Sequence, residues 1–202
     1  MEGCVDLKTK IEKKEAVVGV VGLGYVGLPL LIEFVHQGFR SIGFDIDPKK
    51  IDALNQGKTY IKHIAKERIG EMKATGRFEA TDDFSRLKET DCILGAVPTP
   101  LDKHQQPDLS YIINTSEAIS KHLRKGQLAV LESSTWPGTT EEVMRPILEG
   151  SGLKYGKDFW LAFSPEREDP NNPDFNTRTI PKVVGADDPS ALACATALYD
   201  AV

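Results

Sequence analysis

Apolar runs alternate with amphipathic stretches along most of the chain. Short, continuous, often β-branched runs fall at 16–21, 40–45, 77–80, 91–97, 127–132, 159–163 and 182–185, and these read as strands. Helical spacing occupies 25–37, 48–55, 63–75, 82–88, 109–123, 138–150 and 188–200. Runs such as Val17-Val18-Gly19-Val20-Val21 and Leu128-Ala129-Val130-Leu131 lack the polar alternation of a half-solvated strand, so both of their faces are expected to be covered. Strands of that kind alternating with helices predict an α/β domain, a doubly wound, mostly parallel sheet with helices on both faces. The punctuation agrees. Asp47-Pro48 reads as an N-cap followed by proline at the first helical position, and Gly38, Gly76 and Gly126 each follow a helical segment.

The first strand runs straight into Gly22-Leu23-Gly24-Tyr25-Val26-Gly27, and Asp45 closes the second strand eighteen residues beyond Gly27. A G-x-G-x-x-G pattern alone is weak, but a preceding strand, a following helix and a later acid make up the context of a Rossmann-type dinucleotide turn. Gly22 permits the tight exit from the strand, Gly24 leaves room beside a pyrophosphate, and Gly27 lets the helix pack close to the strand. The helix N-terminus supplies unpaired N–H groups and partial positive charge, and Pro29 in its first turn costs nothing there. Asp45 is placed to accept from both ribose hydroxyls and to repel a 2′-phosphate, which favours NAD over NADP.

Composition narrows the class of partner. Twenty-five basic residues stand against 30 acidic ones, a net charge of −5 over 202 residues, which argues against a nucleic-acid or anionic-membrane surface. Three widely spaced cysteines (Cys4, Cys92, Cys194) and four scattered histidines form neither a disulfide framework nor a metal-ligand pattern, so no metal is expected and a reducing, cytoplasmic setting is the simplest reading. Cys92 opens a strand and Cys194 sits among small apolar residues, so both read as inert core thiols. Residues 1–15, rich in Lys and Glu, read as a frayed leader or a short exposed helix ahead of a domain spanning 16–202. The apolar stretch 16–32 is interrupted by four glycines and Pro29, and falls short of the ~20 residues of a membrane span.

The remaining unusual residues all follow strands. Val97-Pro98-Thr99-Pro100, then 133–140 with its run of hydroxyls, then Ser164-Pro165-Glu166-Arg167-Glu168-Asp169 come after the fourth, fifth and sixth strands. In a parallel sheet these loops open on one carboxyl edge, where ligands of open α/β sheets bind, so they should meet the glycine turn over one crevice. The longest irregular stretch, 164–181, belongs to that edge, and loops of such length are more often functional than idle.

Four ordered motifs, Gly22 to Pro29, Val97 to Leu101 with Pro107-Asp108-Leu109-Ser110, Ser133 to Thr140, and Ser164 to Pro170, resemble the UDP-glucose/GDP-mannose dehydrogenase family over residues 16–202. The segment Leu54 to His63 and the Pro165 to Pro170 motif look most like the branch acting on UDP-N-acetylglucosamine. The resemblance implies oxidation of a UDP-sugar C6 alcohol to a carboxylate with two NAD⁺, through a thiohemiacetal and a thioester on a cysteine. It implies cofactor contacts from Gly22, Gly24, Tyr25, Val26, Gly27, Asp45, Lys50, Pro98, Thr99, Ser134 and Thr135, with Asp45 and Lys50 at the adenosine ribose. It places Thr135 by the catalytic water, makes Glu166 the carboxylate of thioester hydrolysis, and sets Glu166 and Arg167 beside the substrate. Asn171 departs from the glycine common in that branch. The family's lysine and asparagine pair, its nucleophilic cysteine, its central helix and its UDP-sugar domain are expected beyond Val202, and homo-oligomerisation is expected of the full-length protein. The fragment is therefore expected to hold the oxidant without turning over. A stand-alone NAD(H)-binding or redox-sensing module is the alternative, and a one-step hydroxyacid dehydrogenase sharing only the fold is a third reading that leaves the Glu166 loop unexplained.

Overall fold

The computed structural model describes residues 2–62, 64–101, 103–165 and 181–202. Within them lie six strands, β1 (Val17–Val21), β2 (Arg40–Phe44), β3 (Phe78–Thr81), β4 (Cys92–Gly95), β5 (Gln127–Leu131) and β6 (Phe159–Phe163). They form one sheet in the order β3-β2-β1-β4-β5-β6, and every pairing is parallel. The order reverses between β1 and β4, so the sheet is doubly wound and a crevice opens at their carboxyl ends. The strands match the expectation closely, with all pairs parallel where a mostly parallel sheet was expected.

Among the described residues, seven α-helices surround the sheet: α1 (Glu2–Glu12), α2 (Gly27–His36), α3 (Pro48–Asn55), α4 (Lys66–Ala74), α5 (Ser110–His122), α6 (Arg145–Glu149) and α7 (Pro189–Asp200). Strand residues alternate between two cores. Cys92, Leu94, Leu128 and Val130 join a cluster with Leu7, Ile11, Leu28, Leu31, Ile69 and Leu198. Ile93, Ala129 and Leu131 point the other way, to Leu87, Ile112, Ile119, Met144 and Leu148. Continuous apolar strands are what two such cores require.

Local chemistry sets the helix ends. Asp47 caps α3 by accepting from the Lys49 N–H at 2.9 Å, with Pro48 at the first position as read from the sequence. Asp188 caps α7 through the N–H groups of Ser190 and Ala191, both at 2.9 Å. Gly38, at φ +102°, stops α2. Gly126 does not stop α5, which ends at His122; its N–H instead donates to the Asp158 carbonyl beside β6.

Four expectations are corrected. The N-terminal residues are neither frayed nor fully exposed: α1 buries Cys4, Leu7 and Ile11, and packs along α7. The spacing of those three residues is helical, but its small apolar set is masked by the surrounding charge. Residues 182–185 are not a strand. Lys182 turns inward, Val183 is exposed, and only Gly185 pairs with β6, as an antiparallel bridge to Phe163. The segment expected as a helix over 82–88 is a 3-10 helix, Phe84–Glu89, capped by Asp83. The segment expected over 138–150 divides into a π-helical stretch, Thr139–Met144, and α6, with Pro146 removing a backbone donor at the junction. No helix among the described residues is long and apolar enough to cross a membrane.

Among the described glycines, the least room for a side chain lies where β1 meets α2. A Cβ on Gly27 would come within 1.9 Å of the Gly22 carbonyl oxygen, a backbone atom that cannot yield. Gly27→Ala is expected to destabilise the protein by on the order of 3 kcal/mol, an overpacking cost read as a lower midpoint in urea or thermal unfolding.

Candidate functional site

The glycine turn forms one wall of the crevice. Gly22 adopts φ +92°, and a Cβ there would meet the Ala96 carbonyl oxygen at 2.4 Å. Its N–H donates to the Phe44 carbonyl at 2.8 Å, and the Ala96 N–H donates to the Val21 carbonyl at 2.8 Å, so β2, the turn and the exit of β4 are knitted together. Gly24 is different in kind. A Cβ there would meet nothing within 4 Å, and its φ is not positive. Protein packing does not require glycine at 24, whereas an approaching ligand would. Beyond it, α2 starts at Gly27 with no side-chain cap and no acid in its first turn; the Leu28 N–H donates to the Gly24 carbonyl at 3.1 Å and Pro29 has no N–H, so this end offers an anion the Gly27 N–H and the helix dipole. Tyr25 and Val26 lie on this rim, Tyr25 exposed and Val26 half-buried.

Asp45 stands at the carboxyl end of β2, nearly buried. One carboxylate oxygen accepts from the Leu23 N–H at 2.9 Å and from Lys50 Nζ at 2.8 Å; the other accepts from the Asp47 N–H at 3.0 Å. Burial would raise its pKa, but the hydrogen bonds from Lys50 and the backbone of Asp47 and Leu23 outweigh that and hold it below the ordinary value. Asp45 and Lys50 therefore bond each other, and Asp45 is more heavily engaged than a free ribose acceptor. Of about four lone-pair sites on a carboxylate, three are taken, so in this arrangement it has room for one further donor rather than for both ribose hydroxyls.

Tyr60 completes the grip. Its hydroxyl donates to the Leu23 carbonyl at 2.5 Å, so Leu23 is held by Asp45 on its N–H and by Tyr60 on its C=O. Burial, with the nearby charges of Asp45 and Asp47, pushes the phenol far above its usual range and keeps it a donor. Sequence reading did not assign Tyr60 a site role. The signal was present in the Leu54 to His63 motif, which served there only to choose a family branch.

The opposite wall comes from the loops after β4 and β5. Ser133 Oγ donates to the Val97 carbonyl at 2.6 Å and accepts from the Val97 N–H at 3.2 Å. Thr99 Oγ1 donates to the Ser134 carbonyl at 2.7 Å. Thr135 and Thr139 hydroxyls lie 2.8 Å apart, and Thr139 also donates to the Trp136 carbonyl at 2.9 Å. The structure thus brings Pro98, Thr99, Ser134 and Thr135 into one tied pair of loops. It adds Ser133, whose hydroxyl makes the tie and which the sequence left as one serine among several. Glu166 and Arg167, with Asn171, lie outside the described residues. Cys4, Cys92 and Cys194 are all buried, and burial foremost pushes the Cys92 and Cys194 thiols well above their usual range.

Because the Asp45 carboxyl is depressed in the folded state, its contribution to stability is full above the unfolded pKa and is lost as pH falls through the folded one. The stability difference between the wild type and Asp45→Asn is expected to be flat from pH 5 to 8 and to vanish progressively below about pH 4. Urea unfolding of both proteins across that range measures it.

Residues 16–202 match the model of the UDP-glucose/GDP-mannose dehydrogenase family, NAD binding domain. UDP-N-acetyl-D-glucosamine 6-dehydrogenase of Pseudomonas aeruginosa is 38% identical over 187 residues, covering 92% of this chain and 43% of that protein. Among solved structures, NDP-N-acetyl-D-galactosaminuronic acid dehydrogenase from Methanosarcina mazei Go1 superposes with a TM-score of 0.87 at 36% identity, covering 96% of this chain and 44% of that one. GDP-mannose dehydrogenase from Pseudomonas aeruginosa, solved as a ternary complex, gives 0.83 at 30% identity, covering 91% and 44%. The chain spans less than half the length of these relatives. On that family match and these relatives, the chain belongs to the UDP-glucose/GDP-mannose dehydrogenase family, and its cofactor is NAD.

Proposed function

We propose that this chain is the oxidant-binding part of a nucleotide-sugar 6-dehydrogenase, which converts the C6 alcohol of a UDP-sugar to a carboxylate with two NAD⁺. UDP-N-acetylglucosamine is the first choice of sugar, with UDP-glucose and UDP-N-acetylmannosamine beside it; the relative named for the first of these is 38% identical. The observation that carries the reading is Gly24. It is a glycine that the fold does not need, facing open space at the mouth of an uncapped helix, with an ionised acid at the next strand end.

Those residues fit NAD. The Gly27 N–H and the dipole of α2 would receive the pyrophosphate, with Gly24 leaving the approach clear. Asp45 would accept from an adenosine ribose hydroxyl, and Ile46 beside it, exposed and apolar, would lie along the adenine. With the switch point between β1 and β4, the nicotinamide half would run the other way, toward Thr99 and Thr135 at the ends of β4 and β5. The cofactor, when bound, supplies the hydride acceptor. Around it the chain's own residues orient: Asp45 and Tyr60 fix the turn, and Ser133 and Thr99 fix the loops that carry Thr135. Glu166 and Arg167 are assigned to the substrate side by the family resemblance, Glu166 as the carboxylate acting in hydrolysis. Buried thiols with raised pKa make Cys92 and Cys194 poor nucleophiles, so these 202 residues are proposed to bind the oxidant without completing the reaction.

Calorimetry tests the reading. The wild type is expected to bind NAD⁺ at least about tenfold more tightly than NADP⁺, since Asp45 repels a 2′-phosphate. Gly24→Ala should weaken NAD⁺ by roughly tenfold or more while its unfolding midpoint stays within the ±0.5 kcal/mol typical of a surface substitution. Absence of NAD⁺ binding by the wild type, or an unfolding loss in Gly24→Ala that matches its binding loss, would count against the assignment. NADH production from a UDP-sugar by these residues alone would overturn the inactive-fragment part of it.

A further inference from the structure

A buried ion pair lies behind the Thr135 loop, on the side away from the Val97 tie. Glu132 is the first residue past β5 and is fully buried. Strand alternation carries its side chain in line with Leu128 and Val130, toward α7, whereas Ser133 turns to the opposite side and bonds Val97. One carboxylate oxygen accepts from Lys182 Nζ at 3.0 Å; the other accepts from the Tyr199 hydroxyl of α7. Lys182 is only 16% exposed, and its ammonium also lies 5.7 Å from the centre of the Tyr199 ring. The backbone closes the same corner: the Glu132 N–H donates to the Gly95 carbonyl at 2.9 Å, and the N–H of buried Ser164 donates to the Leu131 carbonyl at 3.0 Å.

A pair of charges taken this far out of water is a poor way to stabilise a fold. Desolvation offsets most of its attraction, and apolar residues of similar volume would serve stability as well or better. What an ion pair adds is direction. A carboxylate held from two sides by donors on two different segments, 181–184 and α7, fixes the backbone at 132 in a way that apolar packing does not. Three residues later the same backbone presents Thr135, and one residue later it makes the tie to Val97. The loop is therefore pinned on both faces at its root.

We infer that Glu132, Lys182 and Tyr199 are positioning residues that hold the 133–135 loop against the nicotinamide half of the bound cofactor without touching it. This rests on the cofactor reading above, because only that reading places the nicotinamide at the ends of β4 and β5. It separates the two halves of the dinucleotide. Asp45 and Tyr60 hold Leu23 on the β2 side of β1, whereas Glu132 lies past β5, so they should grip the adenosine half independently of this corner.

ADP-ribose, which keeps that half and lacks nicotinamide, is the probe. Calorimetry with NAD⁺ and ADP-ribose is run on the wild type, on Glu132→Gln/Lys182→Met, which removes both charges together, and on Tyr199→Phe, which removes one hydroxyl and leaves the charges paired. The wild type is expected to prefer NAD⁺. The double variant should lose about tenfold in NAD⁺ affinity, with ADP-ribose changed by less than about twofold, and Tyr199→Phe should lose about two- to threefold in NAD⁺ alone. A general structural role would move both ligands together. Equal losses for both, or an undiminished preference in Tyr199→Phe whether or not the double variant folds, overturns the inference and leaves NAD binding standing. A wild type that binds both ligands equally also overturns it. A wild type that binds neither overturns the cofactor reading and this inference with it.

Discussion

The close approach of three backbones at Gly22, Gly27 and Ala96 is the constraint on which the rest of the site depends. Neither glycine has room for a single extra carbon, and in both cases the obstacle is a carbonyl oxygen rather than a movable side chain. That contact fixes where α2 begins relative to β1, and it fixes the exit of β4 alongside. The helix dipole, the topological switch point and the loop bearing Pro98 and Thr99 are all referred to one steric origin. A small error there would tilt α2 and move its N–H groups away from the crevice, because packed interiors transmit displacement rather than absorb it.

Around that origin, polar side chains are used mainly on each other. Leu23 is held on its N–H by Asp45 and on its C=O by Tyr60; Val97 is held on both its N–H and its C=O by Ser133. These are residues on opposite walls of one crevice, each with its peptide groups satisfied by a side chain from another segment. The loops are therefore ordered before any ligand arrives, and the entropy of fixing them is already spent at folding rather than at binding. Glu132 extends the same logic beneath the loop, with charge in place of neutral hydrogen bonds.

Legibility in the sequence followed period and identity. Buried parallel strands announce themselves as continuous β-branched runs, and β1, β2, β5 and β6 fall within a residue of the expected limits. The turn glycines and Asp45 were readable because their residue types are demanded by backbone geometry and ligand chemistry. What escaped depended on long-range contact. Nothing local marks Tyr60 as the partner of Leu23, thirty-seven positions away, or Lys182 as the partner of Glu132, fifty positions away. The false strand at 182–185 has the same cause: Val183 and Val184 carry β propensity, but Lys182 reaches inward to Glu132 and only Gly185 pairs with the β6 edge. In α1 three buried residues among many charges carry too little signal to separate a core helix from an exposed one.

The crowding of Asp45 bears on selectivity. A free carboxylate at a strand end could accept from both ribose hydroxyls and would repel a 2′-phosphate by charge alone. Here Lys50 already bonds that carboxylate, which weakens the repulsion by placing a cation beside it. If charge were the whole of the discrimination, the pair would be a poor filter. Geometry restores it. The Lys50 ammonium and the Leu23 N–H occupy one carboxylate oxygen, and the Asp47 N–H takes a site on the other, so the remaining acceptor position is a single directional one. A hydroxyl can donate into it, whereas a phosphate oxygen has no proton to give and would face a lone pair. On the proposed assignment of Asp45 to the ribose, selection for NAD would be a matter of hydrogen-bond direction as much as of charge, and it should survive in salt concentrations that screen exposed charges from one another.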